Sequence, residues 1–155
     1  MKKVFLAILM LMLLFTSYGE EIAQEAALHL DKPYSYTSEG PNAFDCSGFV
    51  FYCYKKHYNI ELPRTAKEQG YSDKYITIIH IKNLRLGDMV YFNTNRGDSD
   101  VCDHAGIYIG NGEFIHASSA KGKVIKSTLL TGYYNERFSW GKRITRRVKN
   151  GTCND

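Results

Sequence analysis

The stretch from His104 to Ala117 constrains the fold of this chain more than any other. It reads His104-Ala105-Gly106-Ile107-Tyr108-Ile109, then Gly110-Asn111-Gly112, then Glu113-Phe114-Ile115-His116-Ala117. Two runs rich in β-branched and aromatic residues around an Asn-Gly pair signal a hairpin, because tight hairpin turns need left-handed backbone. The register decides what such a hairpin can do. A turn of Asn111-Gly112 alone sets Gly110 opposite Glu113 and His116 opposite Ile107, so His104 and His116 point to opposite faces. A three-residue loop, Gly110-Asn111-Gly112 with Gly112 left-handed in a bulge, sets Ile109 opposite Glu113. His104 then lies opposite Ser118 and diagonal to His116, on one face, at roughly 7–8 Å between backbones. We take the second register, since only there can the two imidazoles hydrogen-bond.

The other segments fall into helices first and strands after. Glu21 to Leu30 repeats Ala23, Ala26, Ala27 and Leu30 at helical spacing and stops before Pro33. In Phe44-Asp45-Cys46-Ser47-Gly48-Phe49-Val50 a loop turns into a helix. Asp45 is its N-cap, Phe44 and Phe49 fit a hydrophobic staple, and Phe49, Val50 and Cys53 continue an apolar face to about Lys56 or His57. Thr65 to Gln69 forms one more helical turn, ended by Gly70. Tyr75 to Ile81, Met89 to Phe92, Val124 to Ser127 and Trp140 to Val148 read as strands beside the hairpin. This order predicts an α+β fold with a mostly antiparallel sheet.

Residues 1–19 read as a cleavable secretory signal: Lys2 and Lys3, an apolar run from Val4 to Phe15, then Ser17-Tyr18-Gly19, with the cut after Gly19. The run is short for a membrane span, and no cysteine follows it closely, so no stable membrane anchor is expected after cleavage. The expected location is periplasmic or secreted. Residues 20–155 hold no repeat or low-complexity linker and read as a single domain. Without Lys2 and Lys3 the net charge falls from +4 to about +2, which argues against a nucleic-acid partner. Lys142 to Lys149 carries five Lys or Arg in eight positions, either the solvated face of a last strand or a patch drawn to a polyanionic wall or membrane surface. Export permits disulfides among Cys46, Cys53, Cys102 and Cys153. Cys102 with Cys153 is the first pairing to test, and Cys53 is expected in the core.

Cys46 at a helix start, with a histidine, is the minimal set for nucleophilic acyl transfer. Cys46 would be nucleophile, His104 base and His116 the group that orients the base. The helix dipole would favour thiolate and lower the thiol pKa below its free value of about 8.5. Cys46, Cys102, His104 and His116 could also be drawn as a zinc set, but they lack the paired short spacings of such sites. The aspartates between Asn93 and Asp103 lack calcium-loop spacing. No metal or cofactor is expected, and His57 and His80 show no partner pattern.

Asp45-Cys46-Ser47-Gly48-Phe49, Gly87-Asp88-Met89-Val90-Tyr91-Phe92, His104-Ala105-Gly106-Ile107-Tyr108-Ile109-Gly110 and Phe114-Ile115-His116-Ala117 together resemble the NlpC family of bacterial cell-wall cysteine peptidases. Four motifs in order, from about Pro33 to His116 and on toward Val148, carry the resemblance. It implies a papain-like core, with the cysteine helix packed on an antiparallel sheet that presents the histidines. It also implies hydrolysis within peptidoglycan stem peptides or muropeptides, commonly between γ-D-glutamate and the diamino acid. Cys46, His104 and His116 match the family's catalytic positions, and Tyr34 matches a tyrosine thought to help the oxyanion hole. Asp45 and Ser47 match positions that touch substrate, and Arg64, in Leu62-Pro63-Arg64-Thr65, would meet a substrate carboxylate or form a structural salt bridge. Tyr36-Thr37-Ser38 replaces the family's Trp-Gly-Gly, and Leu86 replaces a common proline. An amidase or acyltransferase on the same fold and a non-catalytic wall-binding module are the alternatives.

Overall fold

A computed structural model describes residues 18–95 and 102–144. Three helices precede the sheet: α1 (Tyr18–Ala27), α2 (Cys46–Tyr58) and α3 (Ala66–Tyr71). Then come β1 (Ile76–Ile78), a 3-10 turn (Ile81–Asn83), β2 (Met89–Phe92), β3 (His104–Gly110), β4 (Glu113–Ser118), β5 (Lys123–Thr128), the short α4 (Gly132–Asn135) and β6 (Phe138–Arg143). The six strands form one antiparallel sheet in the order β1-β6-β2-β3-β4-β5. This is the expected α+β architecture.

Local chemistry sets the ends of α2. The Asp45 carboxylate accepts from the Gly48 amide at 2.7 Å, and the rings of Phe44 and Phe49 meet edge to face at 5.6 Å. Asn59 ends the helix in the left-handed conformation, its amide donating back to Lys55. Phe49, Val50 and Cys53 are fully buried in one cluster with Met89, Tyr91, Ala105, Ile107, Ile115 and Ala117. Burying each large apolar side chain is worth about 1.5–3 kcal/mol, so this seam holds α2 on β3 and β4. Tyr54 adds a hydroxyl donated to the Gly87 carbonyl. The other sheet face packs Val90, Phe92 and Phe114 with Ile78, Leu84 and Leu129.

Several elements differ from the sequence expectation. In α1 the buried residues are Ile22, Glu25, Ala26 and the following His29, not the face of Ala23, Ala27 and Leu30. Glu25 and His29 can be buried because they pair with each other at 2.8 Å and Lys56 donates to Glu25 at 2.9 Å. The helix begins at Tyr18, and Gly19 packs directly on the Leu86 backbone. The strand expected over Tyr75 to Ile81 shrinks to Ile76–Ile78, an edge strand in which only Ile78 is buried. Gly70 lies inside α3, where Cys102 packs against it and Trp140 Nε1 donates to its carbonyl at 2.8 Å. Thr65 and Glu68 close the start of that helix as a capping box. Cys53 and Cys102 are buried, and among the described residues neither forms a disulfide. The proposed Cys102–Cys153 pairing and the last strand beyond Ile144 lie outside the described residues.

The hairpin combines both expected registers. Asn111 (φ 54°) and Gly112 (φ 73°) form a two-residue turn with Gly110 opposite Glu113, as in the first. The register then shifts at Ile109, with Gly110 at φ 90°, and Tyr108 pairs with Phe114 and Ile107 with Ile115, as in the second. Continuing that register sets Gly106 opposite His116 and His104 opposite Ser118. Both histidines therefore share the face of Phe92 and Phe114, while Ala105 and Ile107 face α2.

Gly106 leaves no room for a side chain. A Cβ there would stand 2.7 Å from the Phe114 ring, 2.9 Å from the Ile115 carbonyl oxygen and 3.1 Å from the His116 Cβ. Gly106→Ala should lower stability by about 1–3 kcal/mol in urea unfolding, because backbone as well as side chain must give way. An unchanged unfolding midpoint would refute this packing.

Candidate active site

The N-terminus of α2 meets the N-terminal end of β3. Cys46 occupies the first helical position, part-exposed, with Sγ 4.0 Å from the Asp103 carbonyl oxygen. Asp103 is itself fixed by its carboxylate, which accepts from the amides of Thr94 (2.7 Å) and Asn95 (2.8 Å). The thiol thus lies against the backbone on either side of His104, at the end of the sheet.

His104 Nε2 and His116 Nδ1 are 2.8 Å apart, and His116 Nε2 lies 2.9 Å from Ser127 Oγ on β5. The chain of contacts runs from His104 through His116 to Ser127. Aromatic rings wall it in: Tyr134 stacks on His104 at 5.9 Å and meets His116 at 4.9 Å, Phe114 stacks on His116 at 4.8 Å, and Phe92 sits 6.0 Å from His104. His116 is fully buried. With Nε2 of His104 engaged by His116, its Nδ1 is the nitrogen left for a reaction partner.

On the other side of Cys46 a cleft of about 520 Å³ is lined by Tyr34, Tyr36, Asp45, Ser47, Arg64 and Asp103 among others. Arg64 grips Asp45 through both carboxylate oxygens (2.5 and 3.2 Å), donates to Ser47 Oγ at 3.1 Å and pairs with Glu39 at 2.6 Å. Of the two expected roles for Arg64, the structure contains the salt bridge. Asp45 serves at once as helix cap and as the anchor of this network. Gln69, fully buried, ties the Ser47 and Pro63 carbonyls together at 3.1 and 2.8 Å, holding the Arg64 segment beside the cysteine. A second cleft, about 320 Å³, opens beyond the histidines and is lined by His104, Ser118, Lys121, Ser127 and Tyr134 among others.

The protonation pattern differs from the expected helix-start thiolate. Burial pushes the Cys46 thiol above its ordinary value, and the Asp45 charge adds to the rise, outweighing the amides of Ala105 and Ser47. Burial pushes His104 down to about 4, against the opposing charge of Asp103. His116 is pushed down to about 2 by burial and by His104. The resting pair is a neutral thiol beside neutral imidazoles. Burial likewise raises Tyr34, helped by Cys46 and Asp45, so its phenol stays a proton donor.

Cys102 is buried with its Sγ 3.4 Å from the Ala66 carbonyl oxygen, and among the described residues the four residues of the zinc reading do not converge. Among the described residues no three of His, Cys, Asp or Glu come together to hold a metal ion. His80 is exposed, and His57 lies 3.5 Å from Glu21. Ser127, Tyr134 and Glu39 were not singled out from sequence. Ser127 sits in a polar alternating strand like its neighbours, and only the β4–β5 register reveals it.

The chain matches the NlpC/P60 family over residues 31–143 and belongs to that family. It is 36% identical over 126 residues to the probable endopeptidase YafL of Escherichia coli (strain K12), covering 77% of this chain and 49% of that protein. Murein DD-endopeptidase MepH of the same organism is 40% identical over 116 residues, covering 74% of this chain and 41% of that protein. The solved structure of NlpC1 from Trichomonas vaginalis aligns with a TM-score of 0.72 at 27% identity, covering 83% of this chain and 45% of that one. The chain thus spans about half or less of the length of these relatives.

The raised thiol pKa has a direct readout. Alkylation of Cys46 by iodoacetamide requires thiolate, so its rate should climb with pH through and beyond about 8.5, the free-thiol value. It should show no reactive plateau at mildly acidic pH. Mass-spectrometric alkylation rates across pH check this, and fast modification in mild acid would contradict it.

Proposed function

We propose that this chain is an exported cysteine endopeptidase that hydrolyses the peptides of peptidoglycan. Residues 1–19 would be its secretory signal and residues 20–155 the single catalytic domain. The observation that carries the reading is the 2.8 Å contact between His104 and His116, beside a cysteine at a helix start. The names of the relatives YafL, an endopeptidase, and MepH, a murein endopeptidase, support the reaction class.

In this reading each residue has one step. His104 Nδ1 takes the Cys46 thiol proton as sulfur attacks the scissile carbonyl carbon. The oxygen that gains charge is met by the Cys46 backbone N–H and the Tyr34 hydroxyl. The imidazolium then gives its proton to the leaving amine, the C–N bond breaks, and an acyl thioester stays on Cys46. Water, deprotonated by His104, hydrolyses the thioester and frees the carboxylate and the thiol. His116 orients His104 without adding a negative charge. Asp45, Ser47 and Arg64 form the wall of the acyl-side cleft and bind substrate through their shared network. No cofactor enters any step.

Two bonds are in play. The resemblance in the motifs favours the γ-D-glutamyl–diamino acid bond. MepH, named a DD-endopeptidase, favours a bond between two D-configured residues. An amidase acting on the same fold would release the whole stem.

Mass spectrometry of purified muropeptides after incubation with the protein separates these cases. Cleavage inside the stem or its cross-link is expected, with Cys46→Ala and His104→Ala each losing at least about a hundredfold in rate while remaining folded. His116→Ala should be slower yet active. Normal turnover by Cys46→Ala or His104→Ala would contradict the mechanism.

A further inference from the structure

The contact between His116 and Ser127 has a consequence for the direction of every proton in the site. His116 Nε2 is 2.9 Å from Ser127 Oγ, in a ring nitrogen environment otherwise closed by Phe114 and Tyr134. His116 is fully buried, and the Ser127 hydroxyl is the polar group beside its Nε2.

For His104 Nδ1 to hold a lone pair toward Cys46, its proton must sit on Nε2. Nε2–H then donates to His116 Nδ1, across 2.8 Å. His116 Nδ1 is therefore an acceptor, and its own proton must sit on Nε2. That N–H needs an acceptor, and Ser127 Oγ is the one beside it. The opposite arrangement has Ser127 donating to His116 Nε2 and His116 Nδ1–H donating to His104 Nε2. It leaves His104 protonated on Nδ1, facing the thiol with no lone pair. The heavy atoms fit either arrangement, but only one of them makes a base.

We infer that Ser127 is a positioning residue of this site: accepting from His116 Nε2–H, it holds both imidazoles in the tautomers that free His104 Nδ1 to take the Cys46 proton. The inference rests on the Cys46–His104 reading given above. Ser127 is suited to accept because its oxygen has two lone pairs and its own proton has somewhere else to go. It lines the 320 Å³ cleft beyond the histidines, together with Lys121 and Ser118, and is part-exposed there. Its O–H can donate to water in that cleft while its oxygen accepts from the buried ring.

Removing the hydroxyl changes the balance. With Ser127→Ala the Nε2–H of His116 loses the hydroxyl oxygen that accepts from it. The ring does better with its proton on Nδ1, donating to His104, which turns His104 into the inactive tautomer. Turnover then needs the minority form.

The test combines long-range 1H–15N correlation spectra of the histidine side chains, near neutral pH, with muropeptide kinetics. In the wild-type protein His104 and His116 should both carry their proton on Nε2. In Ser127→Ala, His116 should move its proton to Nδ1 and kcat should fall about tenfold or more with KM little changed. Ser127→Thr, which keeps the hydroxyl on a strand, should restore both the spectrum and the rate. A wild-type His116 protonated on Nδ1 would overturn the inference without any variant, so a Ser127→Ala protein that fails to fold does not shield it. Lost activity in folded Ser127→Ala with unchanged tautomers would also overturn it, since that is a merely structural effect. The wild-type spectrum decides Ser127's role even if the protein cleaves no muropeptide, so the two readings can fail separately.

Discussion

One extra residue in a β-hairpin is the constraint on which the site depends. The Asn111-Gly112 turn alone would send His104 and His116 to opposite faces of the sheet. The register shift at Ile109, with Gly110 at positive φ, brings them back to one face, where they stand 2.8 Å apart. Everything polar about the histidines follows from that shift. Gly106 opens the space between the strands, Ser127 on the next strand reaches the far nitrogen, and three aromatic rings close the sides. The histidine face is not the face that α2 packs on. Cys46 meets it only because both the helix and β3 begin at the same end of the sheet.

Asp45 does the corresponding job on the cysteine side. Its carboxylate caps α2, accepts both arms of the Arg64 fork and raises the energy of a thiolate beside it. The same residue that makes a helix start at Cys46 therefore works against a resting thiolate there. Burial of the thiol is the larger effect in the same direction, and burial also lowers the basicity of His104, which disfavours the imidazolium of an ion pair. Burial thus favours the neutral forms of both the thiol and the imidazole. A neutral thiol is also less open to alkylation and oxidation than a thiolate.

Much of this was legible in the sequence because it rests on short-range chemistry. The Asp45 cap, the Phe44–Phe49 staple, the buried run Met89–Phe92 and the facing of the two histidines all depend on neighbours or on strand alternation. The α+β order and the family motifs followed from the same residues. What was hidden depends on partners distant in the chain. Glu25 and His29 are buried only because Lys56 waits on another helix. Gly70 reads as a helix stop until Cys102 and Trp140 are seen packed on it. The edge strand β1 is shorter than its β-branched run suggests, because little of it faces the core. Ser127 has no signature of its own, and the thiol pKa is set by burial that no local pattern reveals.

In the proposed reaction Cys46 forms a covalent acyl intermediate with the help of His104. Rapid acid quench of protein mixed with muropeptide, followed by intact mass and peptide mapping, tests it most directly. The expected result is a transient adduct with the mass of the acyl half of the substrate, mapped to Cys46 and absent in Cys46→Ala. Turnover with the adduct on another residue, or hydrolysis that persists in Cys46→Ala, would contradict it.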